Sequence, residues 1–153
     1  MATVKSRFSF DTNILIYAVD RDAKARHERS KFLLKEAAQF DCVLAVQALG
    51  EFYHATTRKG VLEPSRARAF IGVWRELFPL MAADEVALSD AIDAVEGHRI
   101  AFWDAMLWAT ARRSGCATIV SEDQQHGRKL GGVRFVNPFA DDADVHLSSL
   151  FSP

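Results

Sequence analysis

The feature that most constrains this chain is an alternation. Short, nearly continuous apolar runs rich in β-branched residues are separated by stretches with helical spacing. Cys42–Val46 (CVLAV), Cys116–Val120 (CATIV) and Val133–Val136 (VRFV) read as buried strands, and Arg7–Phe10 (RFSF) as a shorter one. A strand covered on both faces has no reason to alternate polar with apolar residues, and such strands belong to parallel sheets packed between helices. Phe78–Met81 is a weaker strand. Pro79 has no N–H to give a ladder, which places this strand at an edge. Helices are expected over Ala25–Phe40, Gln47–Lys59 (stopped by Gly60), Arg66–Leu77 (capped by Ser65), Asp90–Glu96 (capped by Ser89, closed by Gly97) and Ala101–Ser114 (stopped by Gly115). A short helix is expected over Gln124–Leu130. Strands alternating with helices give an α/β fold with a mostly parallel sheet. No repeat, linker or low-complexity segment divides residues 1–153, so one domain is expected.

Parallel sheets bind ligands at the carboxyl ends of their strands. Asp11-Thr12-Asn13 follows the first strand. Gln47 follows the second, with Glu51 one turn into the helix, and Ser121-Glu122-Asp123 follows the Cys116–Val120 strand. Asp104 is the most unusual acid. In Ile100-Ala-Phe-Trp-Asp104-Ala-Met-Leu-Trp108 its helical neighbours are apolar and no cation lies within a turn. A buried aspartate without a partner is costly, so a functional carboxylate is expected there. The other acids have ordinary readings as well. Asp11 can be a helix cap, Glu51 a solvated helix residue, and Asp123 a cap, with Glu122 competing for its role.

Carboxylates gathered within a few ångströms repel, and some protonate unless a cation intervenes. Oxygen donors without His or Cys at ligand spacing suit Mg²⁺ or Mn²⁺ rather than Zn²⁺. Such ions activate water and stabilise the attacking and leaving oxygens of an in-line displacement, which is phosphodiester hydrolysis. Other chemistries lack their motifs. GxGxxG, GxxxxGK[ST], HExxH and GxSxG are absent, and His27, His54, His98, His126 and His146 are scattered along the chain. Cys42 and Cys116 lack CxxC spacing and read as buried thiols.

In order, these residues resemble the PIN-domain ribonucleases of the VapC toxin type. Phe8-Ser-Phe-Asp11-Thr12-Asn13 is similar to the family's first strand and DTN signature. Glu51, Phe102-Trp103-Asp104-Ala105 and Ser121-Glu122-Asp123 match its later acids, and Val133-Arg-Phe-Val-Asn-Pro-Phe139 matches its last strand and ending. The resemblance implies a three-layer sandwich around a five-stranded sheet of order 3-2-1-4-5. It implies Mg²⁺- or Mn²⁺-dependent RNA cleavage, with Asp11, Glu51 and Asp104 holding metal and Asp123 completing the site. Asp123 is the better positional match than Glu122. Thr12, Asn13 and Ser121 would orient carboxylates or a phosphate. It further implies a homodimer held inactive by a cognate antitoxin. A non-toxin PIN nuclease acting on RNA or structured DNA, or a silent RNA-binding module, are the competing readings.

Charge and hydropathy set the remaining limits. Nineteen Lys and Arg against twenty Asp and Glu give a net charge of −1, which disfavours a general nucleic-acid binder. Phosphate contacts must then be local, and Arg58, Lys59, Arg112 and Arg128 are the candidates, with Lys24, Arg26, Arg113 and Lys129 behind them. The first ten residues, Met1–Phe10, lack a signal peptide's apolar core, and no apolar run approaches the roughly 18 residues of a membrane helix. A cytoplasmic protein is expected. Phe52, Tyr53, Phe70 and Trp74 fit either a core or an interface.

Overall fold

A computed structural model describes residues 6–152, so the first five residues of Met1–Phe10 lie outside the described residues. The chain is an α/β fold whose mixed sheet is flanked by helices. Strand β1 (Arg7–Phe10) lies parallel to β4 (Cys116–Val120), with Phe10 opposite Val120. β4 lies parallel to β6 (Val133–Val136), and β5 (Lys129–Leu130) closes that edge antiparallel. β2 (Leu44–Ala45) and β3 (Leu80–Met81) form a separate parallel pair. One isolated parallel bridge, Phe8 to Cys42, joins the pair to β1, and the Val43 amide donates to the Phe8 carbonyl at 3.0 Å.

The single five-stranded ladder implied by the family resemblance is thus divided. Val46 already belongs to a helix, which leaves Leu44–Ala45 as the only laddered part of the CVLAV run. Pro79 gives no N–H, but its carbonyl accepts from Leu44 at 3.0 Å, and β3 pairs on one side only. Phe8, Ser9 and Phe10 are all fully buried, the double-faced burial that the apolar runs imply.

The helices fit the sequence expectations in place and differ at their ends. α1 (Thr12–Tyr17) was read only as turn and cap chemistry. α2 (Ala25–Ala37) stops before Phe40, and α3 covers Val46–Arg58. α4 (Pro64–Leu77) is entered through Glu63 with Pro64 first, not through Ser65, because a proline needs no partner for its missing N–H there. α5 (Glu85–His98) starts five residues before Asp90. Asp84, not Ser89, is the cap, and its carboxylate accepts from the Ala87 amide at 2.8 Å. Gly97 lies inside that helix, which ends on Arg99 at φ +52°. α6 covers Phe102–Arg113, and a short α7 (Ala143–Leu147) follows β6.

The expected helix over Gln124–Leu130 does not form. That segment is turns followed by β5. Gly131 and Gly132, at φ +53° and +83°, make a two-residue hairpin between β5 and β6, the positive-φ geometry such turns demand. The Trp108 indole N–H donates to the Leu130 carbonyl at 3.0 Å and ties this hairpin to α6. Phe52 and Trp74 are core, 4.8 Å apart, whereas Tyr53 is exposed. Cys42 and Cys116 are buried free thiols. Burial pushes Cys116 up to about 12 and Cys42 well above the ordinary thiol value, so neither offers a thiolate at neutral pH.

At Gly131 an added Cβ would lie 2.9 Å from Trp108 Cζ2, while at Gly60 (φ +71°) it would meet nothing within 4 Å. Gly60→Ala should cost about 1 kcal/mol from backbone conformation alone. Gly131→Ala should cost at least about 1 kcal/mol more, because the ring must also move. Urea unfolding midpoints measure both, and equal losses would remove the packing role assigned to the Gly131 turn.

Candidate metal centre

Three strand and helix ends converge on the site. Asp11 ends β1 and caps α1. Its Oδ1 accepts from the Thr12 amide at 2.7 Å, and its Oδ2 accepts from the Ser121 hydroxyl at 2.7 Å. Ser121, fully buried, follows β4, so the β1–β4 pairing puts these two side chains side by side. Its hydroxyl also accepts from the Asp123 amide at 3.1 Å, which turns the chain there. Asp104 stands in the first turn of α6, and its Oδ2 accepts from the Gln124 amide at 3.1 Å. One carboxylate oxygen from each of Asp11, Asp104 and Asp123 lies within 4.8 Å of the others.

Glu51 sits beside this trio on α3. Its two oxygens accept from the Thr12 hydroxyl and the Gln47 amide, both at 2.8 Å. Glu122 points elsewhere. The Tyr17 hydroxyl and the Arg26 guanidinium donate to its two oxygens at 2.6 Å each. The Ser-Glu-Asp element therefore brings Asp123 to the cluster and leaves Glu122 in an ion pair outside it. Asn13 lies one residue beyond Thr12, and its buried amide has no partner among the described residues.

Asp104 is not sealed among apolar side chains as the sequence suggested. α6 begins at Phe102, so Ile100 precedes the helix and does not lie a turn below Asp104. Its neighbour Trp103 is 61% exposed, and Asp104 itself is half-buried. Helix starts favour negative charge, which suits Asp104 in α6 and Asp11 at the cap of α1.

Among the described residues, none of the four acids has a basic side chain in ion-pair reach. Burial pushes the Asp11 carboxyl up to about 6, against the Ser121 and Thr12 hydrogen bonds, with Asp104 and Asp123 adding to the rise. Asp104 is raised by the same causes: burial first, then Asp123 and Glu51. An acidic, all-oxygen cluster lacking its own cation has the donor chemistry of a hard divalent ion, which takes few carboxylates and keeps waters. The residues fit such an ion.

Four of the eight candidate basic residues are engaged with protein groups. Arg112 donates to the Gly131 carbonyl and lies over the Trp108 ring, Arg113 pairs with Asp84, and Arg26 pairs with Glu122. Arg128 donates to the His98 carbonyl at 2.7 Å and reaches Gln124 Oε1 at 3.4 Å, one side chain from Asp104. Arg58 and Lys59 are exposed at the end of α3, two turns beyond Glu51. Sequence reasoning gave no role to Gln47 and Gln124, which hold Glu51 and Asp104. The spacing of Gln47 four residues before Glu51 was the available signal.

Fold and site together define an α/β protein with an acidic centre at the carboxyl ends of its strands. The model of the PIN domain family matches residues 9–130, and the chain belongs to that family. The solved structures similar to it share the fold at low identity. A sarcin–ricin-loop-cleaving toxin, VapC20 of Mycobacterium tuberculosis, is 18% identical with a TM-score of 0.61, over 73% of this chain and 86% of that one. A toxin–antitoxin complex from Klebsiella pneumoniae is 18% identical at 0.62, over 86% and 97%. A DNA-bound VapBC from Salmonella typhimurium is 20% identical at 0.60, over 85% and 96%. No curated protein matches the sequence.

The Asp11 carboxyl has a higher pKa folded than unfolded. Near pH 5 the folded state therefore holds a proton that the unfolded chain has largely released. The stability this contributes is complete below about pH 4 and is lost as pH rises to about 6, a swing of roughly 3 kcal/mol. Asp104 acts in the same direction. In chelator, urea unfolding should show this decline between pH 4 and 6, and Asp11→Asn should flatten it. A decline of the same size in Asp11→Asn would assign it to other groups.

Proposed function

We infer that this chain is a metal-dependent endoribonuclease toxin, hydrolysing RNA phosphodiester bonds under the control of a cognate antitoxin. The observation that carries the reading is the gathering of Asp11, Asp104 and Asp123 within 4.8 Å with no basic side chain in ion-pair reach among the described residues. Asp11, Glu51, Asp104 and Asp123 would hold Mg²⁺ or Mn²⁺. That ion supplies charge neutralisation, an activated water and stabilisation of the attacking and leaving oxygens. Ser121 and Thr12 orient Asp11 and Glu51, and Gln124 and Gln47 hold Asp104 and Glu51. Arg128 stands near enough to neutralise a neighbouring phosphate, and Arg58 and Lys59 can follow the strand further out.

An antitoxin is supported by structural neighbours that are toxin–antitoxin complexes. It is also supported by a concavity of about 370 Å³ between α2 and α4. Leu34, Phe70 and Trp74 floor it, and Arg21, Lys31 and Arg66 rim it. An amphipathic acidic segment would match it. A homodimer is supported by a shallow apolar surface of Val46, Leu49, Tyr53, Ile71 and Leu80. No helix among the described residues is long and apolar enough to cross a membrane, and the reading places the toxin in the cytoplasm as one domain over residues 1–153.

Asp104→Asn should abolish RNA cleavage while leaving the unfolding free energy within about 1 kcal/mol of the parent, because the residue is half-buried and the amide is isosteric. Mn²⁺ should raise the parent's melting temperature and raise that of the variant much less. The products should carry 5′-phosphate and 3′-hydroxyl ends. Cleavage by Asp104→Asn at the parental rate, or 2′,3′-cyclic phosphate products, would refute the metal-assisted mechanism. Growth arrest on induction of the parent, relieved by Asp104→Asn, separates a toxin from a processing nuclease or a silent binding module.

A further inference from the structure

Asp123 differs from the other acids of the centre in how the chain carries it. Asp11 caps α1, Glu51 lies on α3 and Asp104 on α6, whereas Asp123 is exposed on a segment that is neither helix nor strand. A ligand on such a turn is only as well placed as the bonds of its neighbours. Ser121 accepts from the Asp123 amide at 3.1 Å on one side, and Gln124 donates to Asp104 at 3.1 Å on the other. Between them, Glu122 is gripped by two further elements. The Tyr17 hydroxyl at the end of α1 and the Arg26 guanidinium at the start of α2 donate to its two oxygens at 2.6 Å each. Both bonds are short and charge-assisted. The donors are themselves braced. The Arg26 guanidinium carbon lies 5.0 Å from the centre of the Phe139 ring and 6.0 Å from that of Tyr17, and these two rings meet edge-on at 5.6 Å and 78°. The His27 Nδ1 donates to the Tyr17 carbonyl at 2.9 Å. Thus α1, α2 and the segment after β6 converge on a carboxylate that adjoins the acidic cluster without joining it.

We propose that Glu122 is a positioning residue: clamped by Tyr17 and Arg26, it fixes the turn that presents Asp123 to the metal centre. This rests on the metal-dependent reading above and adds how the fourth acid is placed. Folding stability does not account for the clamp. The Arg26 side chain is 50% exposed, and a half-exposed ion pair adds little to the unfolding free energy. Placement is a stricter demand, because a ligand displaced by a fraction of an ångström loses much of its hold on an ion, and the groups behind the ligands control that displacement. The clamp also keeps a fifth carboxylate away. Glu122 adjoins Asp123 in the chain, and an unclamped side chain would be free to turn toward acids that already repel one another.

Mn²⁺ uptake by the full chain, read from the electron paramagnetic resonance signal of free Mn²⁺, tests the clamp without RNA. Glu122→Ala should weaken Mn²⁺ binding roughly 10-fold. Tyr17→Phe keeps the ring and every charge, and should weaken it as well. Glu122→Gln should keep most of the parent's affinity, because its amide can accept from Arg26 and donate to the Tyr17 oxygen. Arg26→Ala separates placement from charge. Removing a cation near the centre would tighten Mn²⁺ binding if charge alone acted, whereas opening the clamp weakens it. The urea midpoints of Tyr17→Phe and Glu122→Gln should match the parent's, so these two decide the matter even where Glu122→Ala fails to fold. Unchanged affinity in Tyr17→Phe, tighter binding in Arg26→Ala, or Glu122→Gln as weak as Glu122→Ala overturns the clamp. If the clamp fails while the parent binds Mn²⁺ and Asp104→Asn does not, the metal-centre reading stands alone. If the parent takes up no Mn²⁺, both fall.

Discussion

The Ser121–Asp11 hydrogen bond joins the fold to the chemistry. Asp11 is 6% exposed at the end of a strand whose neighbouring residues are completely buried. A carboxylate in that position opposes folding unless its oxygens are occupied. One is met by the start of α1 and the other by Ser121, which the parallel pairing of β1 with β4 carries to the same level of the sheet. Register is therefore not free. A one-residue slip between β1 and β4 would turn Ser121 to the opposite face and leave Asp11 Oδ2 without its partner. The same serine hydroxyl takes the Asp123 amide, so a single side chain sets where the first acid points and where the last one begins.

Holding the acids together has a cost that no ion pair among the described residues relieves. The ion pairs that do form, such as Arg26 with Glu122 and Arg113 with Asp84, lie outside the cluster. Glu122 shows the contrast most sharply, because one residue separates an acid satisfied by Tyr17 and Arg26 from one left facing two aspartates. Stability given up at a site that is electrostatically incomplete is a common mark of function.

The central strands and the order of the acids were legible because burial on both faces and strand-end placement leave direct marks in sequence. What failed was local. Ser89 looked like a cap, but Asp84 precedes it with an equally good side chain and an amide at the right distance, so α5 started earlier. The helix expected over Gln124–Leu130 ends just before Gly131-Gly132, and paired glycines between apolar residues are a hairpin signal. At Asp104 the residue was singled out for a partly mistaken reason. Periodicity alone made it a buried acid in an apolar helix, whereas the true helix start places it at the edge of the core. Its neighbours Phe102 and Trp103 are apolar as well, yet both are exposed.

That misreading shows what a sequence pattern cannot distinguish. An apolar residue on the core face and an apolar residue meant for a partner have the same side chain. Only the helix boundary separates them. A start at Phe102 puts Ala105, Trp108 and Ala109 against the sheet and leaves Phe102 and Trp103 on the rim of the acidic centre. The rim then combines two kinds of surface: carboxylates that require a cation and rings that prefer a flat, weakly hydrated partner. A protein segment seated there would have to supply a cation of its own, which is the chemical requirement an inhibitor of this centre must meet.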